Sequence, residues 1–434
     1  MKFYLLLLLL PLSLFAELTL EQAWTLALEN SPTEEIALAR LARAEAQAMQ
    51  AKGAYHPFLT TTASGTRIEY SGADLARFPG GPDSAEVYQA ELSGSWVLWN
   101  GGRRKYRARA ADRNVDAFAA GLSDAREGLL AQVGEAFTAA QLSRANLRIA
   151  EADVEFQERQ LQNSIRKEEA GLDSRTDRLN FEIRKLSAES IAVQQRAQFE
   201  SAMATLSSLL GIPPEQPIAP PTKLDPEDTD LPDAVEGGAA VWDSLGEILP
   251  ALQQAEENVA SAAARVRSLK GEYAPELSAF GNLNLAREED PSFEGDDLGN
   301  TVGIQLQWDL WTGSVRKNQV LEAEATLAEA VAAAREIRLQ AIAEVKRTVA
   351  SYNASVESEK LFAKTFELSR ENRELVQAAY EAGRETLLRL NEAQRDFNNA
   401  GSRYVAARLE RQLAWIDYQR ATGSLLQRAN LGAP

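Results

Sequence analysis

Cysteine is absent from the 434 residues, which excludes disulfide frameworks, thiolate metal sites, thiol nucleophiles and lipid attachment through an amino-terminal cysteine. Histidine occurs once, at His56, so neither a histidine-based triad nor a clustered histidine metal site has material. Positive charge is in deficit. Lys and Arg total 46 against 63 Asp and Glu, a net charge of −17 and the wrong sign for neutralising nucleic-acid phosphates. With only three methionines besides, copper or silver has no visible ligand set. Aromatic residues are sparse at 7%, whereas 45% of the chain is hydrophobic and much of that is alanine, the composition of long packed helices.

Long apolar runs are missing too, with one exception. Lys2 precedes a largely apolar stretch from Phe3 to Ala16, fourteen residues. At ~1.5 Å each they cover ~21 Å, short of a ~30 Å hydrocarbon core. Residues 1–16 therefore read as a secretory signal peptide cleaved after Ala16, and the mature chain is expected to be exported without a transmembrane helix. A soluble exported protein or a β-barrel remains.

What is present is a sequence written twice. Trp24, Pro32, Gly53, Tyr55, Pro57 and Leu59 return as Trp242, Pro250, Gly271, Tyr273, Pro275 and Leu277, at an offset of 218. Trp96, Trp99, Gly101, Arg104, Lys105, Ala170, Gly171 and Gly211 return as Trp308, Trp311, Gly313, Arg316, Lys317, Ala382, Gly383 and Gly423, at an offset of 212. One length change of six residues between Leu59 and Trp96 accounts for the difference. The expected organisation is repeat 1 over 17–212, a Pro-rich linker over 213–240, repeat 2 over 241–425 and a tail over 426–434. The linker region is too rich in proline for helix or central strand.

Each repeat reads as helix, β-hairpin, long helix, turn, return helix. The hairpins are placed at 57–100 and 275–311, with Gly/Pro-rich tips containing Gly72, Pro79, Gly80, Gly81 and Pro82 in the first and Pro291 and Gly295 in the second. Tyr88, Ala90, Leu92, Gly94, Trp96 and Leu98 alternate with polar residues, as do Val302, Ile304, Leu306, Trp308 and Leu310, so each strand has one apolar face. A half-buried soluble sheet shares that pattern. Strand lengths near ~10 residues, the export signal and tryptophans at one end of both returning strands favour a membrane barrel. Trp96, Trp99, Trp308 and Trp311 then form an interfacial girdle, with packing at a strand–helix corner as the plainer role. Four strands are too few to close, since ~8 is about the membrane minimum, so several chains must pool theirs.

The long helices are expected over 102–170 and 314–382 and the return helices over 172–210 and 384–422. At 1.5 Å per residue the long helices run ~100 Å, the return helices ~60 Å and the initial helices about 45 to 50 Å, so two short helices end to end match a long one. A layer of antiparallel helices follows, and a plain coiled-coil rod is the simpler alternative.

In its order of segments and its duplication the chain resembles the TolC family of outer-membrane efflux and secretion ducts, over essentially the whole mature sequence. The resemblance is carried by Ala27, Leu28, Asn30, Ser31 and Pro32, by the Tyr-x-Pro strand starts, by the Trp-x-Leu-Trp-x-Gly exits, and by the turns Glu-Ala-Gly-Leu-Asp-Ser (169–174) and Glu-Ala-Gly-Arg-Glu-Thr (381–386). It implies a mainly α protein with a membrane part: a long α-helical barrel, with four strands per chain pooled by a homotrimer into a twelve-stranded β-barrel in outer-membrane lipid. It also implies work with a periplasmic adaptor and, through that adaptor, an inner-membrane pump, as the passive exit duct of a tripartite efflux pump or type I secretion system. Adaptor docking would fall on Gly171, Leu172, Ser174, Asp177 and Arg178, and on Gly383, Thr386, Leu387, Arg389 and Leu390. Arg389, Glu392 and Asp177 would line the periplasmic entrance, where relatives place acidic residues; Arg389 suggests salt bridging with Glu392 instead. Independently of any family, Gly171 and Gly383 read as helix C-caps, with Ser174 and Thr386 capping the next helices.

Other signals are weaker. Asn100, Gly101, Gly102, Arg103, Arg104 and Lys105 lack phosphate-loop spacing and read as a corner, and the acidic run of Glu288, Glu289, Asp290, Glu294, Asp296 and Asp297 lacks EF-hand spacing and reads as an extracellular loop. His56 reads as a barrel-rim residue. No nucleophile, base and oxyanion donor assemble, and no cofactor or metal is expected. A soluble periplasmic coiled-coil or adaptor protein is the competing reading.

Overall fold

The computed structural model describes residues 17–71, 84–171, 174–213, 215–222, 231–235, 248–288 and 292–429. The signal segment, most of the first hairpin tip, Leu172, Asp173, much of the linker, Trp242, Glu289, Asp290, Pro291 and the last five residues lie outside the described residues. The elements are α1 (Leu20–Asn30), α2 (Pro32–Gly53), β1 (Phe58–Glu69), β2 (Ser84–Trp99), α3 (Arg103–Glu169), α4 (Arg175–Leu209), α5 (Pro250–Lys270), β3 (Glu276–Glu288), β4 (Leu298–Gln307), α6 (Val315–Glu381), α7 (Leu387–Ala421) and α8 (Leu425–Arg428). The chain divides into two compact units, one of residues up to Ala39, Ala120–Gln253 and Ile337 onward, the other of Arg40–Ala119 and Gln254–Glu336.

The second unit holds the sheet. Its four strands are all antiparallel in the order β1-β2-β3-β4, so the two repeats join at β2–β3 and the edges are β1 and β4. All of β1 is exposed, and Val302, Ile304 and Leu306 of β4 are 86%, 70% and 64% exposed. A sheet in water ordinarily buries its apolar face against another layer; among the described residues, none covers this one. The pairing also corrects the expected alternation. Val97 pairs with Ser278 and Trp99 with Leu277, a bulge that leaves Leu98 as the extra residue. Strict alternation sends Trp96 and Trp99 to opposite faces; the bulge returns both to the face of Ala279 and Leu277. β4 ends at Gln307, so Trp308 and Trp311 follow the strand rather than closing it.

Each strand–helix corner is built from the same parts. Trp96 Nε1 donates to Tyr55 O at 2.8 Å and Trp308 Nε1 to Tyr273 O at 3.2 Å. Arg104 lies 4.9 Å from the Tyr55 ring centre and Arg316 lies 5.0 Å from that of Tyr273. Gly101 and Gly102 turn with φ of 64° and 83°, and a Cβ on Gly101 would sit 2.5 Å from Gly271 O, so the corner admits only glycine there. His56 is an exposed residue of the turn between α2 and β1.

The first unit is helical. Its largest core joins Trp24 of α1, Leu130 and Phe137 of α3, Leu206 of α4, Leu210, Ile416 of α7 and Leu425 of α8. Trp24 Nε1 donates to Leu130 O at 2.8 Å, which satisfies the only polar group of a fully buried ring. Pro32 opens α2 after Ser31 closes α1, the position where a missing N–H costs nothing. The described linker residues are strapped on by their backbone: Leu18 N–H donates to Pro220 O and Thr222 N–H to Leu18 O, both at 2.8 Å. Tyr352 Oη donates to Pro232 O at 2.5 Å, and Arg411, paired with Glu359 at 2.8 Å in a buried setting, donates to Leu231 O at 2.9 Å. The return helices start later than expected, at Arg175 and Leu387, because the residues before them are spent on the caps. The initial helix of repeat 2 is described from Pro250.

Candidate functional site: the two helix turns

The turns that end α3 and α6 lie in the helical unit and are built alike. Gly171 and Gly383 have φ of 72° and 71°, with open space where a Cβ would stand, so the backbone conformation alone asks for glycine. The Gly171 N–H donates to Glu168 O and that of Gly383 to Tyr380 O, each at 2.9 Å. Arg384 N–H continues the second turn to Ala379 O at 2.8 Å, a Schellman closure. Ser174 Oγ then accepts from Asp177 N–H at 3.2 Å, and Thr386 Oγ1 from Arg389 N–H at 3.3 Å.

Below the caps the two turns part. In the first, Arg178 donates to Glu168 at 2.7 Å across the turn and lies 3.5 Å from Glu182. One stretch further, Lys185 meets Glu158 at 2.6 Å, and that bond holds the Glu158 carboxyl below the usual carboxylate range while it raises the Lys185 ammonium. In the second, the residue equivalent to Arg178 is Leu390. It is fully buried in a cluster with Phe156, Val376 and Ala393, with Tyr380 packed beside it. Lys167 reaches over the Tyr380 ring at 5.0 Å.

The positions named from sequence divide accordingly. Gly171, Ser174, Gly383, Thr386 and Arg389 are exposed; Asp177, Arg178, Leu387 and Glu392 are half-buried; Leu390 lies beneath the surface; Leu172 is outside the described residues. Asp177 Oδ2 accepts from Ser174 Oγ at 2.7 Å. Arg389 and Glu392 stand 3.6 Å apart within one chain, one turn apart on α7. Leu388, 66% exposed at the second turn, escaped the sequence reading although an apolar residue beside a capped turn was in plain view. The cross-turn pair Arg178–Glu168 was legible too, because a tight antiparallel turn brings residues equally distant from its centre together.

Elsewhere, Arg287 partly neutralises the acidic tip, donating to Glu294 at 3.2 Å and, more weakly, to Asp297 at 3.5 Å. Among the described residues, no group of three His, Cys, Asp or Glu side chains is placed to hold a metal, and no helix is long and apolar enough to cross a membrane. Trp96, Trp99, Trp308 and Trp311 are all exposed around the ends of β2 and β4.

Comparison with known proteins agrees with this arrangement. The family described as "Outer membrane efflux protein" matches residues 24–212 and 247–424, one match per repeat. Protein CyaE of Bordetella pertussis is 26% identical over 401 residues, covering 91% of this chain and 82% of that protein. Among solved structures, the Campylobacter jejuni CmeC outer membrane channel aligns with a TM-score of 0.82 at 15% identity, covering 94% of this chain and 86% of that one. The Neisseria gonorrhoeae MtrE outer membrane channel in its open state aligns with a TM-score of 0.80 at 20% identity, covering 94% and 89%.

Proposed function

This chain belongs to the outer membrane efflux protein family, and from that premise we propose that it is the outer-membrane exit duct of a tripartite efflux pump or a type I secretion system. Its place is the cell outer membrane, with a long periplasmic helical extension. It conducts drugs or exported proteins passively, and the energy comes from an inner-membrane pump reached through a periplasmic adaptor.

One observation supports this reading above the others: among the described residues, a four-stranded sheet has both edges open and its apolar stripe uncovered. Unpaired strand edges cannot face hydrocarbon, so the sheet must close, and four strands are too few to do so. A homotrimer pools twelve, each β4 edge meeting the β1 edge of the next copy. Apolar side chains then face lipid, and the tryptophans around the strand ends meet the interface. A soluble coiled-coil protein has no use for such a sheet.

The two glycine turns are the proposed adaptor-docking sites, offering Gly171, Ser174, Gly383, Thr386 and the exposed Leu388, while Leu390 supports the second turn from beneath. Arg389, Glu392 and Asp177 are the proposed entrance residues. Arg389 and Glu392 pair within a chain at 3.6 Å, so at that level the mouth carries three paired charges, and Asp177 supplies its acidic positions.

The test is the native mass of protein extracted by detergent from the outer-membrane fraction, followed by conductance in a planar bilayer. A trimer that conducts is expected. A monomer in the soluble periplasmic fraction would overturn the duct.

A further inference from the structure

The chain carries a net charge of −17, yet one end of the sheet unit is basic. The four segments that meet at the strand–helix corners, 45–57, 98–110, 264–276 and 308–320, hold eleven Lys and Arg against four Asp and Glu. The other end of the sheet has the opposite sign. There, among the described residues, Glu69, Glu86, Glu288, Glu294, Asp296 and Asp297 stand against Arg67 and Arg287.

Some of the corner cations are paired. Arg103 holds Glu276 at 2.5 Å, Lys52 holds Asp112 at 2.8 Å and Lys270 holds Glu324 at 2.7 Å. Lys105, Arg107, Arg109, Arg265, Arg267 and Lys317 are exposed and reach no carboxylate among the described residues. The first five form one patch, because α3 and α5 pack antiparallel here. Ser268 Oγ donates to Arg103 O at 3.0 Å and Ser261 Oγ to Ala110 O at 2.9 Å, which sets Arg265 and Arg267 beside the first two turns of α3. Lys105 and Arg267 stand 5.9 Å and 5.8 Å from the ring centre of Tyr106. Like charges gathered this way repel one another, and the first turn of α3 has no acidic residue to offset them. The duplication keeps the central cation: at the offset of 212, Lys105 corresponds to Lys317 at the start of α6.

We infer that these cations form a collar that holds anionic phospholipid headgroups of the periplasmic leaflet around the foot of the barrel. The inference rests on the reading of the protein as an outer-membrane barrel and adds the charge of the lipid it selects. Position points to lipid. Trp99 precedes Arg103 by four residues and Trp311 precedes Lys317 by six, so the cations begin where the strands and the exposed tryptophans end. Tryptophan settles at headgroup level, and Lys and Arg carry their charge out from apolar stems at such a boundary. Arg109 lies only ~9 Å along α3 from its start, within the ~10 Å over which a charge is felt at 0.1 M salt. Guanidinium and ammonium groups donate to phosphate oxygens, and each cation near an anionic leaflet is worth about a fivefold preference.

The neighbouring tryptophans report on the lipid beside them. The full protein, extracted from outer membranes, is reconstituted into phosphatidylcholine vesicles containing either brominated phosphatidylglycerol or brominated phosphatidylethanolamine. Quenching of tryptophan fluorescence gives the relative affinity for each lipid, and native mass is measured on the same preparation. The anionic lipid is expected to be preferred by at least about fivefold at low salt, and the preference to fall in 1 M salt, where screening acts over ~3 Å. Lys105→Gln, Arg107→Gln and Arg109→Gln together should remove most of it, whereas Lys105→Arg, Arg107→Lys and Arg109→Lys together should keep it. A trimer with no preference, or one whose preference survives the glutamine substitutions, would overturn the collar and leave the duct intact, the cations then meeting an acidic segment of a periplasmic partner. Equal loss in the charge-keeping variant would overturn it as well, since charge would not be what selects the lipid. A monomer that does not insert into vesicles would overturn the duct itself.

Discussion

The two helix turns share glycine conformation, cap and spacing, yet the helix that follows is held down by different forces. At the first turn Arg178 bridges Glu168 and Glu182; at the second, the equivalent Leu390 is fully buried among Phe156, Val376 and Ala393. Partly exposed ion pairs contribute little and are screened by salt, whereas a buried leucine contributes transfer free energy and fills a volume its neighbours cannot easily close. Duplication therefore kept the backbone solution and let the adhesive change. The consequence is a first turn that responds more strongly to ionic conditions than the second.

The largest expected effect breaks the second turn. Leu390→Ala leaves a cavity under Thr386 and costs about 2 to 4 kcal/mol. Hydrogen exchange of the amides from Gly383 to Glu392 should accelerate strongly while that around Gly171 stays as it was; equal acceleration at both turns would mean that they do not unfold independently.

A pH shift separates the turns from the rest of the helical unit. Burial pushes the Glu127 carboxyl up to about 7, with the Asp124 charge adding to it, although Leu426 N–H donates to it at 3.1 Å. A folded-state value above the unfolded one means that the stability supplied by the neutral carboxyl is complete below about pH 4.5 and is lost as pH rises through 7. Glu127→Gln should therefore stabilise the protein by roughly 2 kcal/mol at pH 8 and leave it unchanged at pH 4, read from thermal unfolding followed by helical circular dichroism. Glu158 at the first turn runs the other way. Its carboxyl is held low by Lys185, so its contribution is present above the unfolded value and fades as pH falls below it. Acidification thus relieves the interior and loosens the α3–α4 contact at Glu158 and Lys185.

The smallest effect sharpens the same comparison. Arg178→Ala should cost under ~1 kcal/mol at low ionic strength, seen as faster exchange at Gly171, and the difference from the parent should vanish near 1 M salt, where screening acts over ~3 Å. Persistence of the full difference in high salt would show that Arg178 acts through packing of its stem.

Much of this was legible in residue order. The duplication at fixed offsets, the corners, the caps and the glycine turns are local features, set by steric rules and hydrogen bonding over a few residues, and they emerged within one to three positions of where the sequence puts them. The misses have one cause. Whether Trp99 shares a face with Trp96 depends on a bulge against β3. That β4 stops at Gln307 depends on where its partner Glu276 begins. That Leu390 sits beneath the turn instead of on it depends on Phe156, far away in the chain.

By itself, then, the sequence determined the exported and duplicated plan, the lengths of the helices, the need to pool strands and the glycines at the turns, because each follows from composition or from interactions between near neighbours. Only the tertiary structure decided which turn is held by charge and which by packing, and which tryptophans share a face. Burial and pairing are properties of residues brought together from distant parts of the chain, and no local pattern records them.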